Sequence, residues 1–207
     1  AAEIRGAGGK AVIVRADLDD AGERGALIGE ATHAARASLT ALVNCAAMFE
    51  HDTIDTLSLE ALQKHMALNA FTPAVLAREF AEALPEGKRG AVVNFLDFKL
   101  ASPYPDHFSH TLSKYALSGA TDLLARALAP RVRVNAVAPG YVLPAPGQSE
   151  ADYKRLHDDT PLQRGPTGED IAHAVRFLLE NEAVTGQTVF VDGGRRFQSF
   201  DRDMGFM

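Results

Sequence analysis

The chain reads as a doubly wound α/β fold built on a parallel sheet, and three observations carry that reading. Short apolar runs alternate with longer helical patterns along the chain, the signature of βαβ units with right-handed crossovers. The residues that mark the ends of those runs (Asp17, Asn44 to Ala47, Asp97, Pro139-Gly140) are polar or turn-forming. In such sheets ligands bind at the carboxyl ends of the strands. With 207 residues, 46% apolar and 23% charged, the chain can bury one substantial core. The expected organisation is a single domain over 1–207, with a polar and aromatic tail over 195–207 that extends over a neighbouring subunit or is disordered.

The elements follow in order. Ala1 to Arg5 reads as the last turns of a helix, stopped by Gly6, Gly8 and Gly9. Ala11–Val14 is a short strand, followed by Asp17-Leu18. A helix spans about Ala21 to Ser38, and Ala41–Val43 is the next strand, ending in Asn44-Cys45-Ala46-Ala47. A long helix covers roughly Leu59 to Leu84, and Pro73, which costs a helix a hydrogen bond, predicts a kink near Asn69. Ala91-Val92-Val93 is a buried strand leading into a loop with Pro103 and Pro105. From near Ser109, Leu112, Leu117, Leu124 and Leu128 recur at helical spacing. Val132–Val137 is a strand closed by Pro139-Gly140. A loop expected to be mobile carries Pro144, Pro146 and Gly147, and helices follow from about Glu150 and over Gly168–Leu179. Thr188–Val191 is the last strand, ending at Asp192-Gly193-Gly194.

Charge and composition exclude some classes. The net charge is −6, from 21 Lys+Arg and 27 Asp+Glu, which argues against a nucleic-acid partner. No uninterrupted apolar run approaches the ~18–20 residues a membrane helix needs. Cys45 is the sole cysteine, so the chain holds no internal disulfide and suits a reducing compartment, taken as the cytoplasm. Cys45 itself reads as a small buried residue. His107 and His110 have a metal-compatible spacing but no third clustered ligand, so no metal site is expected. Glu150, Asp152, Asp158 and Asp159 read as a solvated helix face.

The informative stretch is Asn94 to Leu117. His110 and Lys114 are four apart and so share one helix face. Asp97, at the end of the preceding strand, stands thirteen residues before His110. A carboxylate at a strand end facing a His and a Lys is a proton-transfer site in outline. Asp97 can also cap the loop that follows, and Asn69 can mark the helix break before Pro73 rather than a functional position.

This stretch resembles the active-site segment of the short-chain dehydrogenase/reductase family, which places a Ser at a strand end, a Tyr thirteen residues later and a Lys four after the Tyr. Lys114 matches; Asp97 stands at the Ser position, as in the pteridine reductases of the family, and His110 at the Tyr position. The resemblance covers nearly the whole chain to about Phe197. It implies a Rossmann-type fold with Asp17-Leu18 at the adenine, Asn44 and Ala46 at the cofactor, and Asn69 holding a relay water. Pro139, Gly140 and Val142 would meet the nicotinamide, and Lys114 the ribose. The Asn135 strand, Thr185-Gly186-Gln187 and Val191 to Gly194 are similar to the family's closing segments. The family's opening strand and Gly-rich turn have no counterpart, since Gly6-Ala7-Gly8-Gly9 follows a helix; the expectation is that a first strand–helix–strand is missing from this chain.

The resemblance therefore implies an oxidoreductase that uses NADP or NAD, transferring a hydride to a carbonyl or a pterin-like C=N of a small-molecule substrate. Asp97 and the Leu143-Pro-Ala-Pro146 loop tilt the substrate toward pterins. His110 or Asp97 with water would supply the proton. Tyr104, Tyr115 and Tyr141 are the substitutes to weigh, though Tyr115 points to another helix face. The family also implies a homodimer or homotetramer. The alternative is a catalytically lapsed member acting as an accessory subunit, since an imidazole titrates near ~6.5 against ~10 for a phenol and the Gly-rich turn is absent.

Overall fold

Four apolar runs pair in parallel, in the order in which the chain makes them: β1 (Ala41–Asn44), β2 (Gly90–Phe95), β3 (Val132–Pro139) and β4 (Thr188–Val191). The computed structural model describes residues 1–144 and 147–203. The register sets Asn44 beside Asn94, Phe95 beside Val137, and Pro139 beside Val191. The strand ends thus fall in line along one side of the sheet.

Helices lie on both faces of the sheet, the arrangement a parallel sheet favours. The helices are α1 (Ala2–Gly6), α2 (Ala21–Ala35), α3 (Leu59–Met66), α4 (Thr72–Ala83), α5 (Phe108–Leu128), α6 (Glu150–Asp158) and α7 (Gly168–Glu180). Side chains alternate along each strand. Val92, Val132 and Val134 pack on Leu76 and Phe80 of α4 and Ala125 of α5. Val93 and Val137 pack on Ile171 and Leu178 of α7, on the other face. The strands step across the sheet in one direction while α7 lies opposite α4 and α5. The β3-to-β4 connection therefore has the opposite hand to the two before it, which corrects the expectation of right-handed crossovers throughout. The rule rests on a strand feeding a helix that packs straight back. Here α6 and the loops between Pro139 and Gly168 intervene, so the chain can cross to the other face.

The break expected near Asn69 takes the form of a π-helical segment, Ala67–Phe71, between α3 and α4. Pro73 cannot donate the backbone bond that would continue an α-helix back to Asn69. The wider turn, common at functional positions, leaves Asn69 1% exposed.

Three other expectations change. Ala11–Val14 forms no strand; Val12 and Ile13 are exposed. Among the described residues β1 is the sheet edge and nothing offers that run a backbone ladder. Helix α2 stops before Ser38, where Arg36 adopts a left-handed conformation and its N–H returns to His33. The tail does not leave the molecule over residues 198–203. After a 3₁₀ turn at Arg195–Phe197 it runs back over its own chain, where Ser102 Oγ donates to the Gln198 carbonyl at 2.6 Å. Ala145 and Pro146 of the loop expected to be mobile, and residues 204–207 of the tail, lie outside the described residues. No helix among the described residues is long and apolar enough to cross a membrane.

Candidate active site

At the carboxyl ends of β1, β2 and β3 lies a cavity of about 640 Å³. Strand β2 delivers Asp97, β3 delivers Pro139 and Gly140, and the chain after β1 delivers Cys45, Ala47 and Phe49. Helix α5 turns His110 and Lys114 toward the same space, as their i, i+4 spacing requires. The strand ends are tied to α5 by amides: Asn44 Nδ2 donates to Asn94 Oδ1 at 2.9 Å, and Asn94 Nδ2 to Thr121 Oγ1 at 2.9 Å.

The start of α5 is set from a distance. His107 precedes the helix with φ 58° and gives it no side-chain cap. Asp52 supplies one, accepting from the Ser109 N–H at 3.0 and 3.2 Å and from the Ser109 hydroxyl. A carboxylate at a helix N-terminus meets both orphan N–H groups and the positive end of the helix dipole.

His110 is 4% exposed and is held at both ring nitrogens. Nδ1 lies 2.9 Å from the Met48 carbonyl, and Nε2 lies 3.3 Å from Asp97 Oδ2. A carbonyl oxygen can only accept, so Nδ1 carries a hydrogen. Nε2 then faces a carboxylate oxygen, and a bond forms there only when a proton sits between the two. A proton placed there would be shared between the imidazole and the carboxylate. Asn69 fixes the Met48 peptide from both sides. Its Oδ1 accepts from Met48 N–H at 2.7 Å and its Nδ2 donates to Met48 O at 2.9 Å, with Ser113 Oγ also at 2.9 Å. Asn69 thereby positions the carbonyl that sets the His110 tautomer.

Asp97 divides its oxygens. Oδ1 accepts from the Lys99 N–H at 2.8 Å, capping the 3₁₀ turn Phe98–Leu100, and Oδ2 faces His110. Asp97 thus caps that turn and also lines the cavity. Burial opposes its ionisation, but the bond from His110, with that ring's charge and the Lys99 N–H, holds the carboxyl below its ordinary pKa. Lys114 Nζ donates to the Phe95 carbonyl at 2.7 Å. Burial lowers the ammonium's pKa, with Asp97 acting against that.

All four tyrosine hydroxyls are committed elsewhere. Tyr104 donates to Asp203, Tyr115 to the Leu100 carbonyl, Tyr153 to the Val142 carbonyl and Tyr141 to Gln148. His110 is left as the ring acid in the cavity.

Of the residues singled out from the sequence, Asp97, His110, Lys114, Pro139, Gly140 and Val142 line the cavity, and Asn69 lies behind His110. Asp17, Leu18, Asn44 and Ala46 do not line it. Asp17 is exposed and accepts from the Asp19 N–H, and Asn44 is turned to Asn94. Cys45 is exposed rather than buried, because it follows the last residue of an edge strand. Gly6, Gly8 and Gly9 are exposed and lie apart from the cavity lining.

Several lining residues carried no sequence signal. Phe49 stacks on His107, with ring centroids 4.0 Å apart, and meets the His110 ring edge-on at 4.6 Å. Its place two residues past Ala47 was the only hint. Lys99, Tyr104 and Asp203 also line the cavity. Asp52 was unmarked because a cap normally lies next to its helix in sequence.

Residues 1–196 match the family model described as enoyl-(acyl carrier protein) reductase. The solved FolM alternative dihydrofolate reductase 1 of Brucella suis, in complex with NADP, is 40% identical with a TM-score of 0.89, covering 95% of this chain and 78% of that one. An uncharacterised oxidoreductase of Methylorubrum extorquens is 32% identical over 204 residues, 93% of this chain and 80% of the relative. The dihydromonapterin reductase of Klebsiella pneumoniae is 30% identical over 137 residues, 65% of this chain and 57% of the relative.

Proposed function

The chain belongs to the short-chain dehydrogenase/reductase family, and we propose that it is an NADP(H)-dependent reductase of a pterin-like C=N, with carbonyls as the second substrate class. The observation that carries the reading is the 3.3 Å approach of His110 Nε2 to Asp97 Oδ2 beside Lys114, in a cavity at the strand ends. The names of the neighbours support it: one solved neighbour is an alternative dihydrofolate reductase in complex with NADP, and one relative is a dihydromonapterin reductase. Such names favour a catalyst over an accessory subunit.

The residues fit the nicotinamide–ribose end of a dinucleotide. Lys114 uses one of its three N–H donors on Phe95 and turns its ammonium to the cavity, where ribose hydroxyls can accept from it. Pro139, Gly140 and Val142 offer backbone and apolar surface for a flat ring. When bound, the nicotinamide supplies the hydride that the reduction requires. Asp97 and His110 supply the other half. As negative charge develops on the substrate nitrogen or oxygen, the shared proton passes to it, leaving neutral imidazole beside carboxylate. The pair recovers its proton from water through Asp97, whose side chain is 18% exposed. Met48 O and Asn69 keep the ring and its tautomer fixed through the cycle.

The test is a fluorescence titration with NADPH and NADH, followed by turnover assays on a 7,8-dihydropterin and an aryl aldehyde. Saturable micromolar NADPH binding with faster turnover of the dihydropterin is the expected result. A folded protein that binds neither nucleotide overturns the reading.

A further inference from the structure

The C-terminal strap brings a second carboxylate to the cavity. Asp203 lines it together with Asp97 and Tyr104, although 99 residues separate Asp203 from Tyr104. Tyr104 Oη donates to Asp203 Oδ2 at 2.7 Å, and the Asp203 N–H donates to Asp106 Oδ2 at 2.7 Å. The strap is fixed in two more places. Ser102 Oγ donates to the Gln198 carbonyl, and the Arg195 guanidinium lies 4.8 Å over the Phe200 ring. Tyr104 is itself pinned, with Lys99 Nζ 3.9 Å over its ring and that ammonium donating to the Asp106 carbonyl at 2.7 Å. Burial first, and the Asp203 charge second, push the Tyr104 phenol up, so it remains a neutral donor that holds the carboxylate in place.

The chemistry narrows what this carboxylate meets. Phe49, Phe98 and Tyr141 give the cavity aromatic walls suited to a flat ring. A carboxylate held against such walls pairs best with two parallel N–H donors on one planar edge, as it does with a guanidinium. An exocyclic amine next to a ring N–H has that geometry; an aldehyde or a ketone does not.

We propose that Asp203 is a specificity residue that takes the amidine edge of a 2-aminopteridine substrate, leaving reduction to the Asp97–His110 pair. The assignment rests on the pterin reading of the same site. Asp203 touches substrate and takes no part in proton transfer. It acts on which ring is bound.

The experiment uses the NADPH-loaded full chain and two probes, a 2-amino-4-oxopteridine and the same ring without the 2-amino group, each titrated by fluorescence quenching. Wild type is expected to favour the amino probe. Asp203→Asn is expected to lose that preference by about tenfold, the scale of one charge-assisted hydrogen bond, with affinity for the desamino probe within about twofold. Should Asp203→Asn fail to fold, Tyr104→Phe loosens the carboxylate while keeping the ring packing, and the same loss of preference is expected. A variant that keeps the wild-type preference, or loses both probes equally, overturns the assignment while leaving the reductase reading intact. Wild-type protein that binds NADPH but neither probe overturns the pterin reading and the Asp203 role with it.

Discussion

At the scale of single residues, the proposed chemistry turns on the Asp97–His110 pair. Asp97 has its carboxyl held below the ordinary range, with burial opposed by His110 and the Lys99 N–H. A group depressed in the folded state adds stability that is complete above its unfolded pKa and lost as pH falls through the folded value. Asp97→Asn should therefore melt below wild type at pH 7, and the gap should close as pH falls below about 4, the ordinary carboxylate value; a gap that is constant down to pH 3 contradicts the pairing. Asp97, His110 and Lys114 were legible in the sequence because a strand end and an i, i+4 helix face fix side-chain direction locally. Asn69 was legible through the break at Pro73, though not the bond to Met48 that gives it a role. Asp203 and Phe49 were not legible. Their neighbours are chosen by chain segments up to 99 residues away, and no local period encodes that.

At the scale of elements, the helix and strand patterns located what they should, and tertiary context decided the rest. Ala11–Val14 has strand composition but no ladder to join, so propensity did not become structure. The hand of the β3-to-β4 connection depends on where α6 and its flanking loops carry the chain, and the helical period of α6 does not encode which face of the sheet that is. Helix α5 depends on a cap that comes from Asp52. Asp52→Ala removes the partner of a buried hydroxyl and a helix N–H together. It should lower stability by about 1–2 kcal/mol and, because α5 carries His110 and Lys114, lower kcat as well. Chemical denaturation checks the first effect. A variant as stable as wild type contradicts the capping role.

At the scale of the whole molecule, the exposed side of α5 carries Leu112, Tyr115 and Leu123 in one stripe, with Gly119 between them open to the surroundings. Spacings of three, four and four place these residues on one face. A second copy of the chain, laid over that stripe, is the proposed partner, giving a homodimer or homotetramer. Light scattering should return at least twice the mass of one chain, and Leu123→Glu should shift the species toward monomer. A monomeric wild type contradicts the interface. The central claim concerns the site the fold assembles, and one measurement reaches it most directly: steady-state NADPH oxidation with a 7,8-dihydropterin, wild type against His110→Ala. Turnover by wild type and a loss of about 10²–10⁴ in kcat for the variant, the usual contribution of a positioned general acid, is the expected result. A variant that turns over as fast as wild type, or a wild type that binds NADPH and reduces nothing, would contradict the assignment of the Asp97–His110 pair as the proton donor.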